Sequence, residues 1–286
     1  MASIKILRRR IRSIQGTAKI TRAMEMIATA KMRRTQQQAL AGRPYSEKIR
    51  QVIANLAIEP QMKGGIPPLL QKRDVKKIYI LHMTTDRGLC GGLNTNLNRT
   101  VAKFILEQKV PVTLITVGRK GRSFARGSGL NIYAEFSGLG DRATVRETLP
   151  ISRVVIEDYS KGDVDLVYLA YPRFVSTMVQ KPTIEILLPV EPGKVPPGQI
   201  GEYIYEPGAS AVLTELLPRF VEMQVYHGVL ELIASEQSAR MVAMRNASEA
   251  AQDMIESLTL TLNKARQESI TKEISEITGG AEIFKA

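Results

Sequence analysis

The sixty residues from Arg219 to Thr278 read RFVEMQVYHGVLELIASEQSARMVAMRNASEAAQDMIESLTLTLNKARQESITKEISEIT. They hold no proline and one glycine, Gly228. Apolar and small residues recur at 3-4 spacing: Leu230, Ile233, Met244, Ala247, Ala251, Met254, Leu258 and Ala265. That is the helical period in its narrow, coiled-coil form. Gln237, Arg240 and Thr261 interrupt the seam. At the α-helical rise such a stretch would be about 90 Å long. A compact domain of ordinary size has no room for it. It requires another long element or a larger assembly to pack against.

The other end of the chain supplies a match. Ile4, Leu7, Ile11, Ile14, Ala18, Thr21, Ala28 and Met32 form a second 3-4 seam, with no proline before Pro44. Ile20, Met24 and Ile27 begin a stripe on a neighbouring face. Residues 1–50 carry 13 Lys and Arg against Glu25 and Glu47, a local charge of +11 in a chain of +12. From Arg219 onward there are 7 basic and 10 acidic residues. Matching seams and opposite charge favour pairing of the two ends. Both seams are rich in Ala and Met, which permit close approach and tolerate irregular surfaces.

Between the ends the pattern changes. Glu59–Asp74 carries Pro60, Gly64, Gly65, Pro67 and Pro68 and reads as a loop. Aliphatic runs follow at Lys77–Met83, Val112–Val117, Asn131–Phe136 and Val164–Tyr171, and Thr183–Leu188 adds a candidate strand. Asn96–Gln108 and Val145–Lys161 have helical patterns between them. Strands alternating with helices predict an α/β domain with a largely parallel sheet. Pro189–Gly201 reads as a second loop. The expected fold class is α/β, a Rossmann-like domain inserted between two long helices that form a coiled coil. The expected division is 1–58 for the N-terminal helix, 75–205 for the α/β domain and 209–286 for the C-terminal helix.

Composition narrows the function classes. Hydrophobic residues make up 44% of the 286 and charged residues 24%, enough for a packed core. The longest apolar runs, such as Leu166–Tyr171, are too short to cross a bilayer. One cysteine, Cys90, excludes an internal disulfide framework. His82 and His227 have no shared metal-ligand spacing and read as structural residues. Arg8, Arg9, Arg10 and Arg12 stand where a signal peptide would be apolar, so a cytoplasmic protein is expected. The stretch Asp86-Arg87-Gly88-Leu89-Cys90-Gly91-Gly92-Leu93-Asn94 follows a predicted strand. Its glycines fit neither dinucleotide nor Walker spacing, and a tight turn is their better reading. Asp163 and Asp165, and Glu157 beside Asp158, stand at element ends where carboxylates are usually solvated. No hydrolase elbow or zinc-protease motif occurs, and no catalytic centre, cofactor or metal site is nominated.

Several motifs together resemble the gamma subunit of rotary F-type ATP synthases. Lys19-Ile20-Thr21-Arg22-Ala23-Met24-Glu25-Met26-Ile27, Lys31-Met32-Arg33 and Arg43-Pro44-Tyr45 look like that family's first helix. Thr85 to Asn94 is similar to its mid-chain motif, and Tyr203-Ile204-Tyr205-Glu206-Pro207 to its late strand. Ala234 to Met244, Asn263-Lys264-Ala265-Arg266-Gln267 and the pattern Ile270-Thr271, Glu273, Glu276, Gly280-Ala281 resemble its last helix. Ile283 departs from the small or basic residue of the family there.

The resemblance implies two antiparallel helices as a shaft inside a ring of three alpha and three beta subunits. It implies an α/β foot on the membrane rotor ring of c subunits, with the epsilon subunit. The role implied is an asymmetric cam that couples ion flow to ATP synthesis or hydrolysis and takes part in regulating the ATPase, with no catalytic residue of its own. By the same resemblance Arg266, Gln267 and Met24 would contact beta, with Arg266 and Gln267 hydrogen-bonding a catch loop. Tyr203, Tyr205 and Glu206 would lie near the rotor ring and epsilon, and Ile283 and Phe284 near an apolar bearing. The basic arm would oppose acidic loops of the ring. A single cysteine, Cys90, is incompatible with the thiol switch of the chloroplast form. The implied setting is the cytoplasmic face of a bacterial membrane, peripheral and not inserted. Two other classes are weighed on the residues alone. An enzyme using the α/β domain would need a phosphate site. A nucleic-acid adaptor using the basic arm would need a groove-reading module, and Tyr45 is the arm's one aromatic.

Overall fold

In the computed structural model, residues 4–58, 67–191, 206 and 208–283 are described. Helix α1 spans Ile4–Ile58. Strands and helices then alternate: β1 (Ile78–Met83), α2 (Leu93–Glu107), β2 (Val112–Val117), α3 (Arg119–Gly127), β3 (Ile132–Phe136), α4 (Val145–Lys161), β4 (Leu166–Phe174) and β5 (Gln180–Leu188). Helix α5 closes the chain over Ala209–Ile283, 75 residues long. The proline-free count from Pro218 understates it, since Pro218 lies inside the helix. Helix α3 carries no apolar run that would mark it, and was not expected.

The chain divides into two compact units, one of Met1–Ile27 with Met241–Ala286, the other Ala28–Arg240. Helices α1 and α5 contribute residues to both.

In the first unit the two helices pack on each other along the expected seam. Leu7, Thr21, Met244 and Ala251 are buried. Ile11, Ile14 and Ala18 are half-buried. Glu25 meets Arg245 at 2.9 Å. The neighbouring stripe behaves differently, with Ile20 and Ile27 exposed. Met254, placed in the seam by its spacing, is exposed too. A two-helix contact covers one narrow face, and residues a third of a turn away remain outside it.

In the second unit five strands stand in the order β3-β2-β1-β4-β5. All pairs are parallel except β4 with β5. Every residue of β1 is buried, as the central strand of a sheet covered on both faces should be. Tyr79, Leu81 and Met83 share one core with Ile53 of α1, Val155 of α4 and Val225 of α5. Ile78 and Ile80 point the other way, onto Leu97 and Val101 of α2 and Ala125 of α3. Gly228, the single glycine of the long apolar run, touches the sheet. A Cβ there would lie 3.0 Å from Met83 Sδ and 3.2 Å from Leu169 Cδ2. Its missing side chain lets α5 lie directly on β1 and β4. Within the first unit the helices run antiparallel: Glu25, near the end of that unit's part of α1, meets Arg245, near the start of its part of α5.

Candidate functional site

Helix α5 changes character at Ser235. Upstream, Val221, Val225, Val229 and Ile233 pack into the apolar core. Then Ser235, Gln237, Ser238 and Arg240 are buried although polar, with Ser235 and Ser238 fully enclosed. Each has a partner, as burial of a polar group demands. Ser235 Oγ donates to the Pro172 carbonyl at 2.8 Å. Ser238 Oγ donates to the Thr177 carbonyl at 2.7 Å. Gln237 Nε2 donates to Asp141 Oδ1 at 3.3 Å, and Asp141 Oδ2 takes Lys31 Nζ of α1 at 2.5 Å. Arg240 donates to Glu236 at 2.5 Å and to the Gly88 carbonyl at 3.1 Å. Burial raises the Glu236 carboxyl above its ordinary range, and Arg240 beside it works against that. The segment thus forms a polar collar tied to four stretches of the α/β layer: the β1–α2 loop, the β3–α4 loop, the end of β4 and the β4–β5 turn.

The loops that meet the collar are themselves pinned. Asp86 accepts from the backbone N–H of Arg119 at 2.9 Å and of Gly138 at 2.8 Å. Asn94 holds Thr85 through the Thr85 N–H at 3.2 Å and the Thr85 hydroxyl at 2.8 Å. Leu89 stands at φ 63, a backbone region that ordinary residues rarely adopt. Gly118, at φ 91, could carry no side chain: its Cβ would lie 2.0 Å from the Thr84 carbonyl oxygen. Backbone N–H groups at the carboxyl edge of the sheet, which could hold a phosphate, are engaged by the protein's own Asp86. Gly91, at φ 56, and Gly92 stand in a turn that opens α2. Burial pushes the Cys90 thiol up, with Glu236 nearby adding to it.

The acidic residues at element ends are not alike. Glu157 and Asp163 are exposed, as expected. Asp158 is buried, and one carboxylate oxygen of Asp165 accepts from the Lys76 and Lys77 N–H groups at 2.8 and 3.1 Å. His82 is fully buried at the end of β1, and desolvation lowers its pKa to about 4. No group of three or more metal-ligand side chains occurs among the described residues. No helix among them is long and apolar enough to cross a membrane.

None of the residues nominated by resemblance is a member of the collar. Arg266 and Gln267 lie exposed on α5 in the first unit. Equal steps from the Glu25–Arg245 pair bring Ile4 opposite about residue 266. Beyond that point α5 outruns its partner, and Ser269 is the one residue of 266–278 that is not exposed. Ile270, Ile274 and Ile277 form an exposed apolar stripe there. Met24 is half-buried beside Glu25. Glu206 is exposed in a bend. Tyr203, Tyr205 and Phe284 lie outside the described residues, as does the side chain of Ile283 at the last residue of α5. Sequence reasoning registered Gln237 and Arg240 as interruptions of a seam and as part of the Ala234–Met244 resemblance, with no partner for either. Those interruptions were the signal for the collar, and Asp141 gave none.

Comparison with known proteins bears on this arrangement. The sequence model of a family described as ATP synthase matches residues 3–283. An ATP synthase gamma chain from Dehalococcoides mccartyi is 59% identical over 281 residues, covering 98% of this chain and 99% of that one. A second, from Pelotomaculum thermopropionicum, is 48% identical over 287 residues, again covering 98% and 99%. The fold resembles a chain in a cryo-EM structure of the Euglena gracilis mitochondrial ATP synthase (OSCP/F1/c-ring), with a TM-score of 0.67, 20% identity, and 98% of this chain and 94% of that one covered. With a family match over nearly its full length and relatives this similar, the chain belongs to the ATP synthase gamma chain family.

Proposed function

We propose that this chain is the central rotor of its ATP synthase. The first unit turns inside a ring of three alpha and three beta subunits. The α/β layer of the second unit rests, with epsilon, on a membrane ring of c subunits. The chain carries torque and performs no reaction. It is peripheral to the membrane on the cytoplasmic side. Rotation presents successive faces of the helix pair to each beta subunit. A face that binds one beta conformation better than another shifts the populations of the nucleotide sites by that difference in affinity.

One observation carries this reading. The helix pair leaves Ile20, Met26, Leu260, Ile270, Ile274 and Ile277 exposed. Large apolar side chains in such number favour an interaction surface over open water. An apolar surface around them that offers few strong ion pairs would hold the helices in place yet let them turn. In this setting Arg266 and Gln267 hydrogen-bond a loop of beta, and Met24 faces beta near the neck. Tyr203, Tyr205 and Glu206 meet the c ring and epsilon. Ile283 and Phe284 end in an apolar bearing.

The test is a reversible disulfide between Leu260→Cys and beta in the assembled complex. Leu260 is chosen because it lies in the paired stretch, where a single helix cannot swivel about its own bonds. Oxidation is expected to stop both ATP synthesis and hydrolysis, and reduction to restore them. Unchanged turnover with the disulfide formed would overturn the rotor reading.

A further inference from the structure

We infer that the collar Ser235–Arg240, with Asp141 as its positioning residue, fixes the angular register between the α/β layer and the two long helices within the second unit. The inference rests on the rotor reading and says where in this chain the load crosses.

The core between α5 and the sheet resists separation, but apolar attraction has no direction. Apart from the close seat of Gly228 on Met83 and Leu169, sliding α5 along its axis exchanges one aliphatic neighbour for another. The collar is different. Ser235, Gln237, Ser238 and Arg240 reach acceptors at the end of β4 and on three loops, at Pro172, Asp141, Thr177 and Gly88. All four side chains are buried. A small slip leaves several of them desolvated and unpaired together, which costs far more than the net worth of any one bond. Such a network admits one register and penalises its neighbours, the role in which buried polar groups are best attested.

Asp141 is the member that reaches both helices. One carboxylate oxygen takes Lys31 of α1 at 2.5 Å and the other takes Gln237 of α5 at 3.3 Å. It projects from the loop between β3 and α4, so a turn of the sheet layer pulls on α1 and α5 through one carboxylate. Its side chain is 37% exposed, and its removal leaves no sealed cavity. Register is separated from stability by Asp141→Asn, which keeps an acceptor for the buried Gln237 amide.

The experiment uses the assembled complex, fixed to a surface through its catalytic ring. A bead is attached to α2 through Leu106→Cys, a position 85% exposed and remote from the collar. The readout is the angular spread of the bead while the motor is stalled. Asp141→Ala is expected to widen that spread about twofold and to lower Tm, because it leaves the buried Gln237 amide unpaired. Asp141→Asn keeps a partner for Gln237 but loses the charge, so an intermediate width is expected. Reversing the pair, Lys31→Asp with Asp141→Lys, is expected to narrow the spread again. Wild-type spread in both Asp141 variants, or a fall in Tm with no change in width, would overturn the inference. A wild-type bead that fails to turn on addition of ATP would instead sink the rotor reading, which keeps the two outcomes apart.

Discussion

Two stretches of α5 are built on opposite rules. At Ser235–Arg240 polar side chains are buried and every one has a partner in the same chain. At Ile270–Ile277 apolar side chains stand exposed on a helix that has outrun its neighbour. The first stretch satisfies its own demands. The second leaves them for another molecule to meet. A single helix thus passes from a region that specifies internal geometry to one that offers a surface.

The contrast predicts unequal responses to substitution. Arg240→Ala is expected to have the largest effect on stability. It strands the Glu236 carboxylate in a buried site and frees the Gly88 carbonyl, at a cost of about 3–5 kcal/mol. Chemical denaturation of the full chain measures it. Replacing both partners by apolar residues of similar volume, Glu236→Leu with Arg240→Met, should cost clearly less, because no unpaired charge remains. If the single and the double variant lose the same amount, the collar is not a coupled network.

Acid should weaken the second unit next. The folded pKa of His82 lies at about 4, below the ordinary 6.5, because burial disfavours the imidazolium. The unfolded chain therefore binds its proton first. Stability from this residue is complete above 6.5, falls as pH drops toward 4, and levels off below that. The loss reaches at most about 3 kcal/mol. His82→Gln should flatten this part of the stability profile, and an unchanged slope between the two values would show that His82 is not its source.

The smallest effect on stability is expected at the exposed end. Ile274→Ser should change the unfolding free energy of the isolated chain by less than about 0.5 kcal/mol, since the side chain is already in water. The same variant should slow ATP synthesis by the assembled complex several-fold if that stripe meets an apolar sleeve. A large loss of stability in the isolated chain would erase the contrast between the two stretches.

Much of the architecture could be read in advance because it depends on near neighbours. The seam from Leu7 to Met32 repeats every three or four residues, and a short window reveals it. The strands of the sheet announce themselves as aliphatic runs between glycines and prolines. The motif Asn263 to Gln267 and its companions carried the family resemblance without any coordinates. Local pattern failed where local chemistry was silent. Helix α3, RKGRSFARG, has no apolar run, and its place depends on Gly118 and Gly121 lying against Thr84.

Periodicity and motif order therefore specified the paired helices, the α/β insertion and the family, since each is encoded within a few turns of chain. Packing alone revealed the collar. Gln237 meets a partner 96 positions away and Arg240 one 152 positions away. Whether a glutamine or an arginine on a helix is solvated or buried depends on what the fold brings to it, and no short window contains that partner. The same holds in reverse for Met254, whose spacing placed it inside and whose surroundings left it exposed.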